Sequence, residues 1–292
     1  MSRIDAIRND TEQTMDDGLV IHRYEWTPGK PKAQLLIVHG IAEHALRYEH
    51  VAQYFVNRGY RVVAYDQRGH GATGIRQHAG DTTRLGRLGR GGQKRVVSDL
   101  AAMIHTIRAE RPGLPTAILA HSWGSLSTQM LINRGAKVAD AVILSGTAWR
   151  RLGHMNSGDL NKRHAHLGST GGEWLSRDEE MVQAWADDPL TFEARVMQLL
   201  GPVESAKLLG RPAKKLAHDV PILIVSGADD SIGSPSSLER LAADYRRRSG
   251  FGDVTLEVLP GARHEVLNET NRVDVLTLME EWATIRLKQR GD

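Results

Sequence analysis

Six short apolar runs set the limits on what this chain can fold into. They lie at residues 33–38, 60–65, 115–120, 138–144, 220–226 and 254–259, each bounded by turn residues. They show little apolar–polar alternation, as strands buried on both faces require. Stretches of helical periodicity separate them, at 47–57, 93–109, 125–133, 235–246 and 268–288, the last with Val275, Met279 and Trp282 on one helical face. Strand–helix alternation of this kind predicts a mostly parallel sheet with helices on both sides. Ahead of it, Asp16-Asp17-Gly18 precedes an extended run at 19–26, a hairpin signal that predicts an antiparallel edge.

Between about residues 148 and 219 the rhythm stops. No strand pattern appears there, and 153–172 is rich in Gly, Ser, Asn and His. Ser176-Arg177-Asp178-Glu179 reads as a capping box opening a helix that Asp188-Pro189 ends, and 191–200 and 203–209 read as two further short helices. The expected organisation is a sheet domain in two parts, 1–147 and 220–292, with a helical cap inserted at 148–219.

Composition excludes several classes. Lys+Arg 38 against Asp+Glu 35 leaves +3, too small an excess for a nucleic-acid binder, and the absence of cysteine removes disulfides, thiolate metal sites and a catalytic thiol. Apolar stretches of four or five residues are far too short to cross a bilayer, and residues 1–14 lack the apolar core of a signal peptide. A soluble protein of the cytoplasm is the expectation.

The chemistry is carried by Ala120-His121-Ser122-Trp123-Gly124, which follows one predicted strand and precedes a helical stretch. Small residues two before and two after a serine permit the tight strand-to-helix turn of a nucleophile elbow. A serine hydroxyl needs a base, and His264 lies on the loop after the last strand. The acid that orients the base belongs after the preceding strand, where Asp229 and Asp230 compete; Asp230 is the first choice and Asp229 the second. The oxyanion donors expected are the backbone N–H groups of Trp123 and of Ile41, on the loop after the first core strand. Bland readings suffice elsewhere. His39, His70 and His121 are expected to hold loops by hydrogen bonds, Glu43 and Arg47 to form an ion pair, and His154, His164 and His166 to be solvated cap residues and not metal ligands. The basic run Arg84, Arg87, Arg90, Lys94 and Arg95 lacks the interleaved aromatics of a single-strand nucleic-acid site.

His39-Gly40-x-x-Glu43-His44-x-x-Arg47-Tyr48, Asp66-x-Arg68-Gly69-His70-Gly71, Gly227-x-x-Asp230 and Gly261-x-x-His264-Glu265-x-x-Asn268-Glu269 resemble segments of the monoacylglycerol lipases and their lysophospholipase-like relatives, over roughly residues 20–282. The resemblance implies an α/β-hydrolase fold with a helical cap and hydrolysis of single-chain acylglycerols or related esters, without metal, nucleotide or redox cofactor. It favours Asp230 as the acid. Glycine is usual where this chain has Ala120, and methionine often stands at the position of Trp123. The partners implied are small ester or lipid substrates, with transient contact between cap and lipid surface; no oligomeric state is specified. The apolar cap residues, Trp174 and Trp185 among them, are expected to form the cap's own core and, in part, the roof of an acyl-chain tunnel above Ser122. Lysophospholipase, lactonase or general carboxylesterase activity with the same triad is the alternative, followed by a catalytically silent binding protein.

Overall fold

In a computed structural model, which describes residues 6–135 and 137–288, the apolar runs lie side by side in one eight-stranded sheet. The strands are β1 (Arg8–Thr14), β2 (Val20–Trp26), β3 (Ala33–Val38), β4 (Tyr60–Tyr65), β5 (Thr116–His121), β6 (Ala141–Ser145), β7 (Ile222–Gly227) and β8 (Val254–Leu259). Their order is β1-β2-β4-β3-β5-β6-β7-β8. From β4 to β8 every pairing is parallel, whereas β2 runs antiparallel to both β1 and β4. This is the mostly parallel sheet with an antiparallel edge that the sequence predicts, and it fits the α/β-hydrolase fold that the resemblance implies.

The helices are α1 (Glu49–Val56), α2 (Gly71–Gln77), α3 (Gly92–Glu110), α4 (Trp123–Ile132), α5 (Glu179–Asp187), α6 (Val196–Lys207), α7 (Pro235–Asp244) and α8 (Arg272–Lys288). Alternate residues of each central strand serve opposite layers. Leu35, Ile37, Leu119 and Ile143 pack with Phe55 of α1 and Met279 of α8. Leu36, Val38, Ile118 and Leu144 pack with Leu100 of α3 and Leu241 of α7. Both faces are thereby covered, which accounts for the unbroken apolar character of these strands.

Differences from expectation have local causes. β1 is a polar strand, Arg-Asn-Asp-Thr-Glu-Gln-Thr, that carries no apolar signal because it borders only β2 at the sheet edge. The helix predicted from 191 starts at Val196 and breaks at Gly201, where φ is 76°, ahead of Pro202. Ser176 is not a helix cap: its hydroxyl donates to the Asn268 carbonyl at 2.9 Å, and Asp178 caps α5 through Met181 N–H at 3.2 Å.

Asp66, at the end of β4, fastens the sheet edge to the loops above it. It is fully buried and accepts from Tyr24 Oη at 2.8 Å, Ala45 N–H at 2.9 Å and Ala72 N–H at 2.8 Å. Asp66→Ala strands two buried donors and one half-buried donor, so it should lower unfolding free energy by about 2–5 kcal/mol. Urea unfolding followed by circular dichroism measures this; a midpoint equal to that of the parent protein would refute the assignment.

Candidate active site

The C-terminal ends of β3, β5, β7 and β8 open on the same edge of the sheet, and each delivers one part of the site. β5 is central. Its last residue pairs with Ser145 of β6, and Ser122 follows with φ 51° and ψ −124°. That conformation costs an L-residue about 1–3 kcal/mol and persists only where the surroundings enforce it. Here Ser122 N–H donates to Ser145 O at 2.9 Å, while its carbonyl accepts from Ser125 N–H at 2.8 Å and Ser125 Oγ at 2.5 Å. Close approach on the far side makes glycine necessary two residues on. A Cβ on Gly124 would lie 2.5 Å from the carbonyl oxygens of both Val38 and His39. The Ala120 methyl, unusual at its position, is fully buried in the sheet's apolar layer.

His264 meets Asp230 beneath the loop after β8. Its Nδ1 lies 3.0 Å from both Asp230 carboxylate oxygens. A carboxylate only accepts, so Nδ1 carries the proton and Nε2 is the free lone pair. That Nε2 is buried and has no hydrogen-bond partner among the described residues. Burial by itself would raise the Asp230 pKa. The facing imidazole, the Ser226 hydroxyl at 2.6 Å and the Ile232 N–H at 2.8 Å outweigh it and hold the carboxyl below its ordinary value. Burial likewise pulls His264 down, and Asp230, with Glu265 and Glu43 behind it, lifts the imidazole above its ordinary value. Asp229, the second choice from the sequence, turns outward to Arg163 at 2.5 Å.

The loop after β3 is held from both sides. His39 Nε2 accepts from Gln67 N–H at 2.9 Å, which leaves Nδ1–H to donate to Gly40 O at 2.7 Å, and Gly40 N–H donates to Glu43 Oε1. Gly40 has no room for a side chain, since a Cβ there would lie 3.0 Å from Ser122 Cβ and closer still to Glu43. Pinned in this way, the loop brings Ile41 beside Ser122 and Trp123, all three lining one cavity. Among the described residues neither the Ile41 nor the Trp123 N–H finds an acceptor. The Trp123 indole donates to Gln93 Oε1 of α3 at 2.8 Å.

Sequence reasoning missed how far the bracing extends. Arg47 bonds Glu43 at 2.7 Å as expected, and also grips Glu265, the residue after the histidine, at 2.5 and 2.8 Å. Tyr48 Oη reaches Glu43 at 2.7 Å, and Asn268 reaches Glu265 at 2.8 Å. Burial dominates at Glu43 and raises its pKa. At Glu265 it is outweighed by the adjoining guanidinium, which lowers the pKa. The serine-side loop and the histidine-side loop thus share one arginine. Only the motif spacing hinted at this.

The cavity above Ser122 encloses about 790 Å³, its open mouth included. Its floor holds Ser122, His264, Ile41 and Trp123; its roof comes from the segment between β6 and β7, with Leu160, Trp174, Trp185 and Phe192. His70 and His121 bond Arg68 O at 3.0 Å and Ser145 Oγ at 3.3 Å. His164, expected in solvent, is buried with Nε2 3.2 Å from Asp229 O. Among the described residues no His, Asp and Glu cluster could hold a metal ion, and no helix is long and apolar enough to cross a membrane.

The sequence profile of the family described as Serine aminopeptidase, S33 (Hydrolase_4) matches residues 29–271. The chain belongs to this family. As a member it is a serine ester hydrolase, similar to the Monoacylglycerol lipase of Mycolicibacterium smegmatis, with 30% identity over 90% of this chain and 92% of the other. The human Monoglyceride lipase is 26% identical over 94% of this chain and 90% of its own. A soluble variant of the Saccharomyces cerevisiae monoglyceride lipase, solved with a substrate analogue, shares the fold at TM-score 0.76 and 19% identity, covering 98% of each chain.

Buried neutral histidines give the fold an acid dependence whose sign can be worked out. Burial holds His39 well below its ordinary pKa, His70 at about 4 and His121 at about 3. Below about pH 6.5 the unfolded chain takes up protons that these folded histidines refuse, so each removes up to about 1.4 kcal/mol per pH unit as pH falls, opposed in part by the raised carboxyls of Glu43 and Asp66. His264 acts in the opposite sense. With its folded pKa raised, its contribution is complete below pH 6.5 and is lost as pH rises through the folded value. Stability should therefore peak near pH 6.5, and His121→Gln should flatten the acid side by about one proton. Urea titrations at several pH values test this; an unchanged acid slope in the variant would count against it.

Proposed function

We propose that the chain hydrolyses single-acyl-chain esters, monoacylglycerols foremost, through an acyl-enzyme on Ser122. One observation carries the reading: the buried Nε2 of His264, without a partner among the described residues, and the strained Ser122 line the same largely apolar cavity. In this mechanism Ser122 Oγ attacks the ester carbonyl as its proton passes to His264 Nε2. The N–H groups of Ile41 and Trp123 receive the oxyanion, each worth about 10²–10³ in rate. As the carbon–oxygen bond to the alcohol breaks, the imidazolium returns its proton to the leaving oxygen. Water then gives a proton to His264, attacks the acyl carbonyl, and the carboxylic acid departs as Ser122 Oγ recovers its proton. Asp230 keeps the Nδ1–H tautomer throughout and balances the transient cation.

Residues 148–219 serve as the lid. The names of the relatives, which are lipases of monoacylglycerol, and the aromatic and aliphatic roof over Ser122 both support an acyl-chain tunnel there. Leu152, Met197 and Val203 expose apolar side chains on this lid, which favours brief contact with a lipid surface during substrate uptake.

Ser122→Ala should abolish turnover of p-nitrophenyl esters and labelling by a fluorophosphonate, with an unchanged circular dichroism spectrum; residual wild-type turnover would refute the assignment. Asp230→Asn should lower kcat by about 10⁴-fold, as loss of the correct tautomer does in the related triad. Because the base must be neutral to act and its pKa is raised, kcat/KM should climb with pH through a limb above the ordinary histidine value of about 6.5. A panel of acylglycerols, lysophospholipids and lactones of graded chain length fixes the substrate. Rates independent of acyl length would remove the tunnel from the account, and a preference for lactones or lysophospholipids would redirect it.

A further inference from the structure

We propose that Trp174 is a positioning residue for His264: its indole face holds the imidazole in place and stabilises the imidazolium formed while Ser122 is acylated. The inference rests on the reading of His264 as the base. The two rings stack with centroids 4.7 Å apart and planes 28° from parallel. Asp230 fixes the imidazole only through Nδ1, an interaction that leaves the ring free to tilt about that bond. The indole removes this freedom.

The stack is secured through the backbone as well. His264 N–H donates to Trp174 O at 3.4 Å, and Glu265 N–H donates to Leu175 O at 2.7 Å. Arg263 reaches across to the carbonyls of Glu173 at 2.6 Å and Ser176 at 2.8 Å. Further along, Arg177 pairs with Glu269 at 2.9 Å and Arg272 with Asp178 at 2.7 Å. Segment 173–178, which the sequence assigns to the cap, is thus stitched to the loop that carries His264. Trp174 is tied to His264 by both ring and main chain.

The charge logic singles out the transition state. A neutral imidazole gains little from an aromatic face, whereas an imidazolium gains the attraction between a cation and the ring quadrupole. An interaction realised only as charge develops raises kcat and leaves ground-state binding alone. The other groups facing His264 are Asp230, the Glu265–Arg47–Glu43 network and His121, whose ring lies 4.7 Å away and which burial keeps neutral. None of them stacks on the imidazole as Trp174 does.

The test uses the full-length enzyme and the variants Trp174→Leu, Trp174→Phe and His264→Ala, assayed with p-nitrophenyl acetate and a medium-chain p-nitrophenyl ester. Leucine keeps the site dry but removes the ring. It should lower kcat by about 2- to 30-fold, by a similar factor on both esters, with KM little changed. The acid limb of kcat/KM should also move to lower pH, and phenylalanine should restore only part of both effects. An unchanged kcat and limb in Trp174→Leu overturns the inference, as does a loss that lies in KM and differs between the esters, which would make Trp174 a wall of the pocket and nothing more. If the leucine variant does not fold, the low-field Nδ1 proton of His264 is titrated by NMR in the parent and in Trp174→Phe. A lower imidazole pKa with the weaker phenyl face supports the stack, and an equal value overturns it. Wild-type turnover by His264→Ala would instead defeat the parent reading, whatever Trp174 does.

Discussion

Everything at this site depends on a backbone turn that an isolated peptide would not adopt. Ser122 is an L-residue held at positive φ, and the strain is tolerable because β5 lies between β3 and β6. β6 supplies the carbonyl that receives the Ser122 N–H, and the end of β3 crowds so closely that only glycine fits at 124. The sheet thereby lifts one hydroxyl above its edge and, through the same contacts, fixes the loop that carries Ile41.

Burial supplies the second constraint. Charged groups buried in this number are costly unless paired, and each of those around Ser122 has found a use for its partner. Asp230 spends its lone pairs on His264, Ser226 and Ile232. Glu43 and Glu265 share Arg47, so the loops after β3 and β8 cannot shift independently. Among the described residues Nε2 of His264 has no partner, and that is where the proposed chemistry needs a free lone pair.

The segment between β6 and β7 plays two parts that its sequence did not separate. Residues 173–178 are fastened to the histidine loop by backbone and ion-pair contacts, and so behave as an extension of the floor. Phe192, Met197 and the broken helix α6 contribute the outer roof and exposed apolar surface. A kink at Gly201-Pro202 is expected of a helix that must bend over a pocket.

How much was legible in advance follows from the range of each interaction. The parallel sheet could be read directly, because strands covered on both faces must be continuously apolar. The elbow, His264 and the pair Asp229/Asp230 could be read from residue type and position after successive strands. The spacing Gly227-x-x-Asp230 already favours Asp230, but the direction of each side chain is set by tertiary packing: Asp230 faces the imidazole, and Asp229 faces solvent and Arg163. The same holds for polar β1, whose strand character comes from pairing with β2, and for Ser176, whose cap-like spacing gave way to a bond with Asn268. Sequence alone determined which chemical groups are present and on which strand ends they ride. Only tertiary packing decided which of them meet, because the bonds between Arg47 and Glu265, or the ring contact between Trp174 and His264, join residues far apart in the chain and leave no periodic trace along it.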